Sequence, residues 1–357
     1  MVNKMNIDLR NRNFIALKDF SEKEILYLID LAAYFKDLKK NRRLHKYLEG
    51  QNIILLFEEA STRTRTSFEL AAADLGMTST FINYTQAKMG ENESIADTIS
   101  VFDRYYDGIV YRGNDQELLE KLVRITEVPI YNAMTDKFHP SQMISDMLTI
   151  REKFGKLKGL KLCYLGYPGD IMPNSLAITC SKLGIDFVGC GPKEFFPDKD
   201  LVNLSRKFSD KYDSDVIYTE DIEEAVKDSD IIYTDMWIAL TEKDNPPIDR
   251  IRKLYPYRVD EKIMDLCSEH AIFMHCLPAF HDQNSNLAKK VLAKLPDDMK
   301  NWDFDGMEVA DSVFKSEKSM VFDQTENRIP AVKAILYSTL RQDPDLDLKF
   351  YRKNVDL

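Results

Sequence analysis

Several kinds of protein are disfavoured by what this chain of 357 residues has little of. It has five cysteines, an odd number without framework spacing, which speaks against a disulfide scaffold and for a reducing cytoplasm. No window approaches the roughly 18 apolar residues of a membrane span. Met1 to Arg12 carries charges and no apolar core, so nothing suggests export. Positive charge is in deficit: 49 Lys and Arg against 59 Asp and Glu leave a formal charge of −10. That balance disfavours nucleic acid and anionic membrane as partners, since both need a basic surface. An anionic ligand would have to be caught by a local basic cluster. Metal-site spacing, repeats and low-complexity tracts are missing, and His275-Cys276 is one adjacent pair that needs no metal.

What is present is enzyme-sized. With 44% hydrophobic residues there is material for two domains of ordinary size. Strand-like and helix-like stretches alternate. Ile53–Phe57, 108–111, 129–131, Leu160–Leu165, Asp186–Cys190, 216–218, 231–233 and 272–274 read as strands, and Val321-Phe322 as a further short one. Helical intervals mark 20–40, 140–154, 174–183, 201–212 and 222–227. Strands separated by helices predict an α/β chain of parallel sheets covered on both faces, with ligands at the carboxyl ends of the strands. Gly155-Lys156-Leu157-Lys158-Gly159 reads as a hinge between a first domain, 1–150, and a second, 157–325.

Ser61-Thr62-Arg63-Thr64-Arg65 puts two guanidiniums and three hydroxyls between the Ile53–Phe57 strand and a helix that the pattern starts near Thr66. A helix start offers free N–H groups and a positive dipole end, and arginine matches phosphate oxygens two at a time. A capped, solvated helix start is the bland alternative. Tyr111-Arg112-Gly113 follows a strand, and Phe138-His139-Pro140-Ser141-Gln142 opens a helix on which His139 and Gln142 can face one ligand. Thr234-Asp235-Met236-Trp237 and His275-Cys276-Leu277-Pro278 also follow strands. A cap for Asp235, a core or cap role for His139 and a buried inert thiol for Cys276 are their structural alternatives.

In this order, together with Glu93-Ser94-Ile95-Ala96-Asp97-Thr98 and Phe322-Asp323-Gln324-Thr325-Glu326-Asn327-Arg328, the motifs resemble the aspartate/ornithine carbamoyltransferase family over nearly the whole chain. His-Cys-Leu-Pro places the resemblance in the ornithine branch, because the aspartate branch has His-Pro-Leu-Pro.

The resemblance implies two doubly wound parallel-sheet domains joined by helices, with a C-terminal helix, 326–345, returning to the first. It implies a homotrimer or multiple of trimers with active sites at subunit interfaces, no cofactor, and two small-molecule partners, carbamoyl phosphate and an amine. Ser61, Thr62, Arg63, Thr64 and Arg112 would bind the phosphate with Arg65 in support. Arg112, His139 and Thr64 would hold the carbamoyl oxygen, and Gln142 with the carbonyls of Cys276 and Leu277 its NH₂. Arg328 would complete the site, Lys88 would reach a neighbouring one, and Asp235 with Cys276 would position the acceptor.

The acceptor side departs from the ornithine pattern. Ala239-Leu240-Thr241 stands where that branch has Ser-Met-Gly, and Asp170-Ile171 where it has Asn-Asn. Ile171 cannot donate to a carboxylate, and Asp170 would repel one. These residues lean towards a diamine such as putrescine, with L-ornithine as the alternative. Ala279-Phe280-His281 and the long connection from Gln283 to Met307 keep the ornithine form. A paralogue that binds carbamoyl phosphate without turnover is the non-enzymatic alternative.

Overall fold

A computed structural model describes residues 7–59, 61–84, 93–239, 242, 245–299, 302 and 305–341. Lys88 and Leu240 lie outside the described residues.

The chain forms two α/β units, Met1–Lys156 with Glu326–Leu357, and Leu157–Thr325. In the first come α1 (Glu22–Lys40), β1 (Asn52–Phe57), α2 (Thr62–Leu75), β2 (Thr78–Asn83), α3 (Ile95–Tyr105), β3 (Gly108–Arg112), α4 (Gln116–Val123), β4 (Ile130–Met134) and α5 (Pro140–Phe154). The second holds β5 (Lys161–Leu165), α6 (Ile171–Leu183), β6 (Asp186–Cys190), α7 (Lys199–Tyr212), β7 (Val216–Thr219), α8 (Ile222–Val226) and β8 (Ile231–Tyr233). It continues through α9 (Ile248–Leu254), α10 (Glu261–Asp265), β9 (Ile272–Met274), α11 (Asn286–Leu292), α12 (Asp311–Phe314) and α13 (Val321–Glu326), before α14 (Arg328–Leu340) rejoins the first unit.

Both sheets are parallel, ordered β2-β1-β3-β4 and β7-β6-β5-β8-β9. Their central strands are buried on both faces, as in Ile53–Phe57 and Ile231–Tyr233, so they read as continuous apolar runs. Each order reverses between strands that leave in opposite directions, β1 and β3 in one sheet and β5 and β8 in the other, which opens a crevice at the carboxyl ends.

Three local expectations need correction. The helix after β1 starts at Thr62 rather than Thr66, so Thr62–Arg65 is its first turn and not a linker. Val321-Phe322 opens helix α13 instead of forming a strand, with Thr325 Oγ1 bonding back to Val321 O at 2.9 Å. Helix α6 starts three residues before Asn174 because the Asp170 carboxylate accepts from Ile171 N at 2.8 Å.

α14 packs against α1, α2 and α5, which fixes Arg328 at its first residue. Lys333, fully buried on α14, is paired with Asp74 of α2 and lies 3.0 Å from His45 Nε2, tying the C-terminal helix into the first unit. Among the described residues no helix is long and apolar enough to cross a membrane.

Candidate active site

In the first unit the carboxyl ends of β1, β3 and β4 each carry a polar group of the site. β1 leads to Ser61, the N-cap of α2, whose hydroxyl makes no capping bond. β3 ends at Arg112, and β4 leads to His139, the N-cap of α5, with Pro140 as its first helical residue.

Thr64 is buried, and its Oγ1 accepts from Arg328 Nη2 at 2.8 Å with Arg112 Nη1 at 3.5 Å. Arg328 Nη1 donates to Gln142 Oε1 at 2.5 Å, while Gln142 Nε2 donates to Asp146 Oδ1 at 2.8 Å. Two guanidiniums thus converge on one hydroxyl oxygen at a helix start, a donor arrangement that suits an anion. His139 is buried beside them, and desolvation first, then Arg328 and Arg112, holds its pKa well below the usual imidazole value. It therefore offers a neutral N–H rather than a third charge.

Arg112 is held by its backbone too. Glu58 N donates to Arg112 O at 2.9 Å, and Gly113 N donates to Met134 O at 3.1 Å. A Cβ on Gly113 would come within 2.3 Å of the Tyr111 hydroxyl and 2.5 Å of Glu58 Cδ, so a side chain there would displace the Tyr111–Glu58 pair beside that arginine. Arg65 lies apart from the convergent set: its Nε donates to Glu69 Oε1 at 2.8 Å and its guanidinium sits 3.7 Å from the Phe81 ring centroid. Thr62 is exposed and Arg63 half-buried.

In the second unit two of the strands lead to carboxylates. Asp170 follows β5. Burial pushes its carboxyl up to about 6; Asp235 and Glu242 push the same way, against the Ile171 N–H and Arg250. Asp235 follows β8, accepts from Met236 N at 2.8 Å and from the Cys276 thiol, and is raised by burial. The Tyr164 phenol is held well above its ordinary value by burial first, then by Asp235, Asp170, Cys276 and Glu308.

His275 is fully buried; its Nδ1 accepts from Leu277 N at 2.9 Å, which leaves the proton on Nε2. That Nε2 faces Glu308 Oε1 at 3.3 Å and Asp235 Oδ1 at 4.0 Å. Glu308 also accepts from Phe280 N at 2.5 Å, so it ties the segment after Cys276 to the histidine. Sequence reasoning missed Glu308, whose Gly306-Met307-Glu308-Val309 setting gives no signal of burial. Donor atoms of Asp235, His275 and Cys276 lie within 4.8 Å of one another; Asp235 accepts from the Cys276 thiol and His275 Nδ1 from Leu277 N.

The remaining acceptor-side positions are Ile171, whose N–H is taken by Asp170, and Ala239, whose N–H donates to Glu242 Oε2 at 2.8 Å. Arg250, on α9, also escaped the sequence reading. It forks onto Glu242 with Nη1 at 2.9 Å and Nη2 at 3.1 Å, and its Nη1 reaches Trp237 O at 3.2 Å.

Comparison with known proteins covers almost the whole chain. Residues 12–152 match the family model described as aspartate/ornithine carbamoyltransferase, carbamoyl-P binding domain, and residues 158–339 match the Asp/Orn binding domain. An ornithine carbamoyltransferase, catabolic, of Treponema denticola is 46% identical over 335 residues, 93% of this chain and 96% of the relative. An ornithine carbamoyltransferase of Streptococcus pneumoniae is 42% identical over 336 residues, 94% of this chain and 97% of the relative. Among solved structures, the ornithine carbamoyltransferase from Pyrococcus furiosus superposes with a TM-score of 0.84 at 33% identity, covering 94% of this chain and 99% of its own. These likenesses correct the expectation of a diamine acceptor such as putrescine. The relatives carry ornithine in their names, and agreement along the full chain outweighs the few replaced side chains at 170, 171 and 239 from which that expectation was argued.

Proposed function

The chain belongs to the aspartate/ornithine carbamoyltransferase family, in its ornithine branch, and from that premise we propose that it carbamoylates L-ornithine to give citrulline and phosphate. It is a carbamoyltransferase, and the reading as a binding paralogue without turnover is set aside. The observation that carries the reaction is the convergence of Arg112 and Arg328 on Thr64, with neutral His139 and Gln142 beside them.

In this reading carbamoyl phosphate replaces the contacts those groups make to one another. Its phosphate lies on the first turn of α2, taking Ser61, Thr62, Arg63, Thr64 and Arg112 as donors, with Arg65 supporting the turn through Glu69. Arg112, His139 and Thr64 donate to the carbamoyl oxygen, where charge develops as the amine attacks. Gln142 Oε1 accepts from the NH₂. Arg328 supplies charge as the carbon–oxygen bond to phosphate breaks and the leaving group gains a full negative charge.

The acceptor attacks through its neutral terminal amine, which as a free alkylamine has a pKa of about 10.4 and must shed a proton. Neighbouring guanidiniums favour the neutral form, and the departing phosphate accepts a proton, so no protein base is needed. Asp235 and Cys276 position the amino acid, with His275 and Glu308 holding the thiol-bearing segment from behind. The assembly in this reading is the homotrimer that the family resemblance implies, which sedimentation would test.

Citrulline formation from carbamoyl phosphate and L-ornithine tests the proposal, run also from citrulline and phosphate because one relative is named catabolic. Turnover abolished by Arg112→Ala is expected; no citrulline from the native protein in either direction would refute it.

A further inference from the structure

Ornithine differs from its decarboxylated diamine by one carboxylate, so an enzyme that uses ornithine needs a partner for that group. The two positions that should supply one are silent here. Ile171 and Ala239 have apolar side chains, and their backbone N–H groups are taken by the carboxylates of Asp170 and Glu242. Asp170 itself would repel a substrate carboxylate at close range.

A cation stands nearby. Arg250 donates to the carbonyl of Trp237, two residues beyond Asp235, and its field is felt at Asp170. Its guanidinium already holds a carboxylate fork-to-fork, since Nη1 and Nη2 reach the two Glu242 oxygens at 2.9 and 3.1 Å. The same Glu242 carboxylate accepts the Ala239 N–H. One carboxylate is therefore held by an arginine fork and a loop amide, in the part of the second unit that carries Asp235.

We infer that Arg250 recognises the α-carboxylate of the acceptor amino acid, with Glu242 occupying its guanidinium fork, and the Ala239 amide, until the acceptor displaces it. The inference rests on the ornithine reading of this site. Arginine is suited to the exchange because its planar fork takes either carboxylate with two parallel bonds. The Arg250 and Glu242 side chains are 29% and 30% exposed, so the pair being broken is a partly solvated one of modest strength. The α-ammonium then falls to the carboxylates of Asp235 and Asp170, which explains how an acidic residue at position 170 is compatible with an amino-acid substrate.

The test is a pair of acceptors on a set of variants. In Arg250→Gln, KM for L-ornithine should rise about 30-fold while KM for carbamoyl phosphate stays within about twofold, as loss of one charge-assisted pair predicts. kcat/KM for putrescine, which has no carboxylate to lose, should stay within about threefold, so the preference for ornithine collapses. Arg250→Lys should restore part of it. Glu242→Gln weakens the competing carboxylate and should lower the ornithine KM several-fold; a latch that merely holds the loop would raise it. That variant decides the matter if Arg250→Gln fails to fold. Equal losses with both amines, or an unchanged ornithine KM in Arg250→Gln, overturn the inference alone. A native protein that makes no citrulline overturns the functional reading, and this inference with it.

Discussion

The crevice residues of the first unit are cationic and those of the second acidic, although both units use the same parallel-sheet plan. Around Thr64, burial and two arginines push His139 down; around Asp235, burial and neighbouring carboxylates push Asp170 and Tyr164 up. The fold supplies strand ends in both cases, and the charge of the side chains placed there sorts the ligands, an anion for one and an ammonium for the other. A chain with net charge −10 needs such local sorting, since its overall field repels phosphate.

The comparison breaks most visibly at the arginines. Arg328→Gln removes a donor that shares Thr64 with Arg112, and should cost on the order of 10²–10³ in kcat/KM for carbamoyl phosphate. Steady-state kinetics with ornithine saturating checks this, and a loss under about fivefold would separate Arg328 from the anion site. Asp235→Asn acts on the other half, with an expected loss of about 10- to 100-fold in kcat/KM for ornithine and little change in carbamoyl phosphate affinity. A smaller effect, about 5- to 10-fold, is expected for Glu308→Gln, which leaves His275 Nε2 without its carboxylate and loosens the segment after Cys276. It should fall on the ornithine terms, and a loss confined to carbamoyl phosphate would count against the placement.

The smallest effect is a pH dependence. Asp170 has its pKa raised from 3.8 to about 6, so it is charged at pH 7.5 and becomes neutral as pH falls through about 6. The groups acting on it are Asp235 and Glu242, which raise the value, and Arg250 with the Ile171 N–H, which lower it. Ornithine KM should therefore rise about three- to fivefold between pH 7.5 and pH 5.5, beyond the change seen in Asp170→Asn, where this titration is gone. Parallel profiles for the two proteins would remove Asp170 from the acceptor half.

Much of the first half was legible in the chain. Thr64, Arg112, His139 and Gln142 stand in short motifs after plain apolar strand runs, and the structure brings these four side chains together with Arg328. The start of α2 was misplaced because Thr and Arg in a first turn carry no helix periodicity of their own. β2 gave no strand signal, since Thr78–Asn83 is a mostly polar edge strand.

The second half was harder for a physical reason. Glu308 is a lone carboxylate among Met307, Val309 and Ala310, and Arg250 sits in the charged run 249–253; only tertiary packing places them beside His275 and Trp237. Reading Ile171 and Ala239 without Arg250 led to a diamine. The error lay in assuming that a lost hydrogen-bond donor must be replaced at the same position in the sequence.

The most direct test of this division is equilibrium binding of carbamoyl phosphate, measured by calorimetry in Arg328→Gln and Asp235→Asn beside the native protein. The account predicts at least about 30-fold weaker binding in the arginine variant and unchanged binding in the aspartate variant. Equal weakening in both, or loss only in Asp235→Asn, would contradict it.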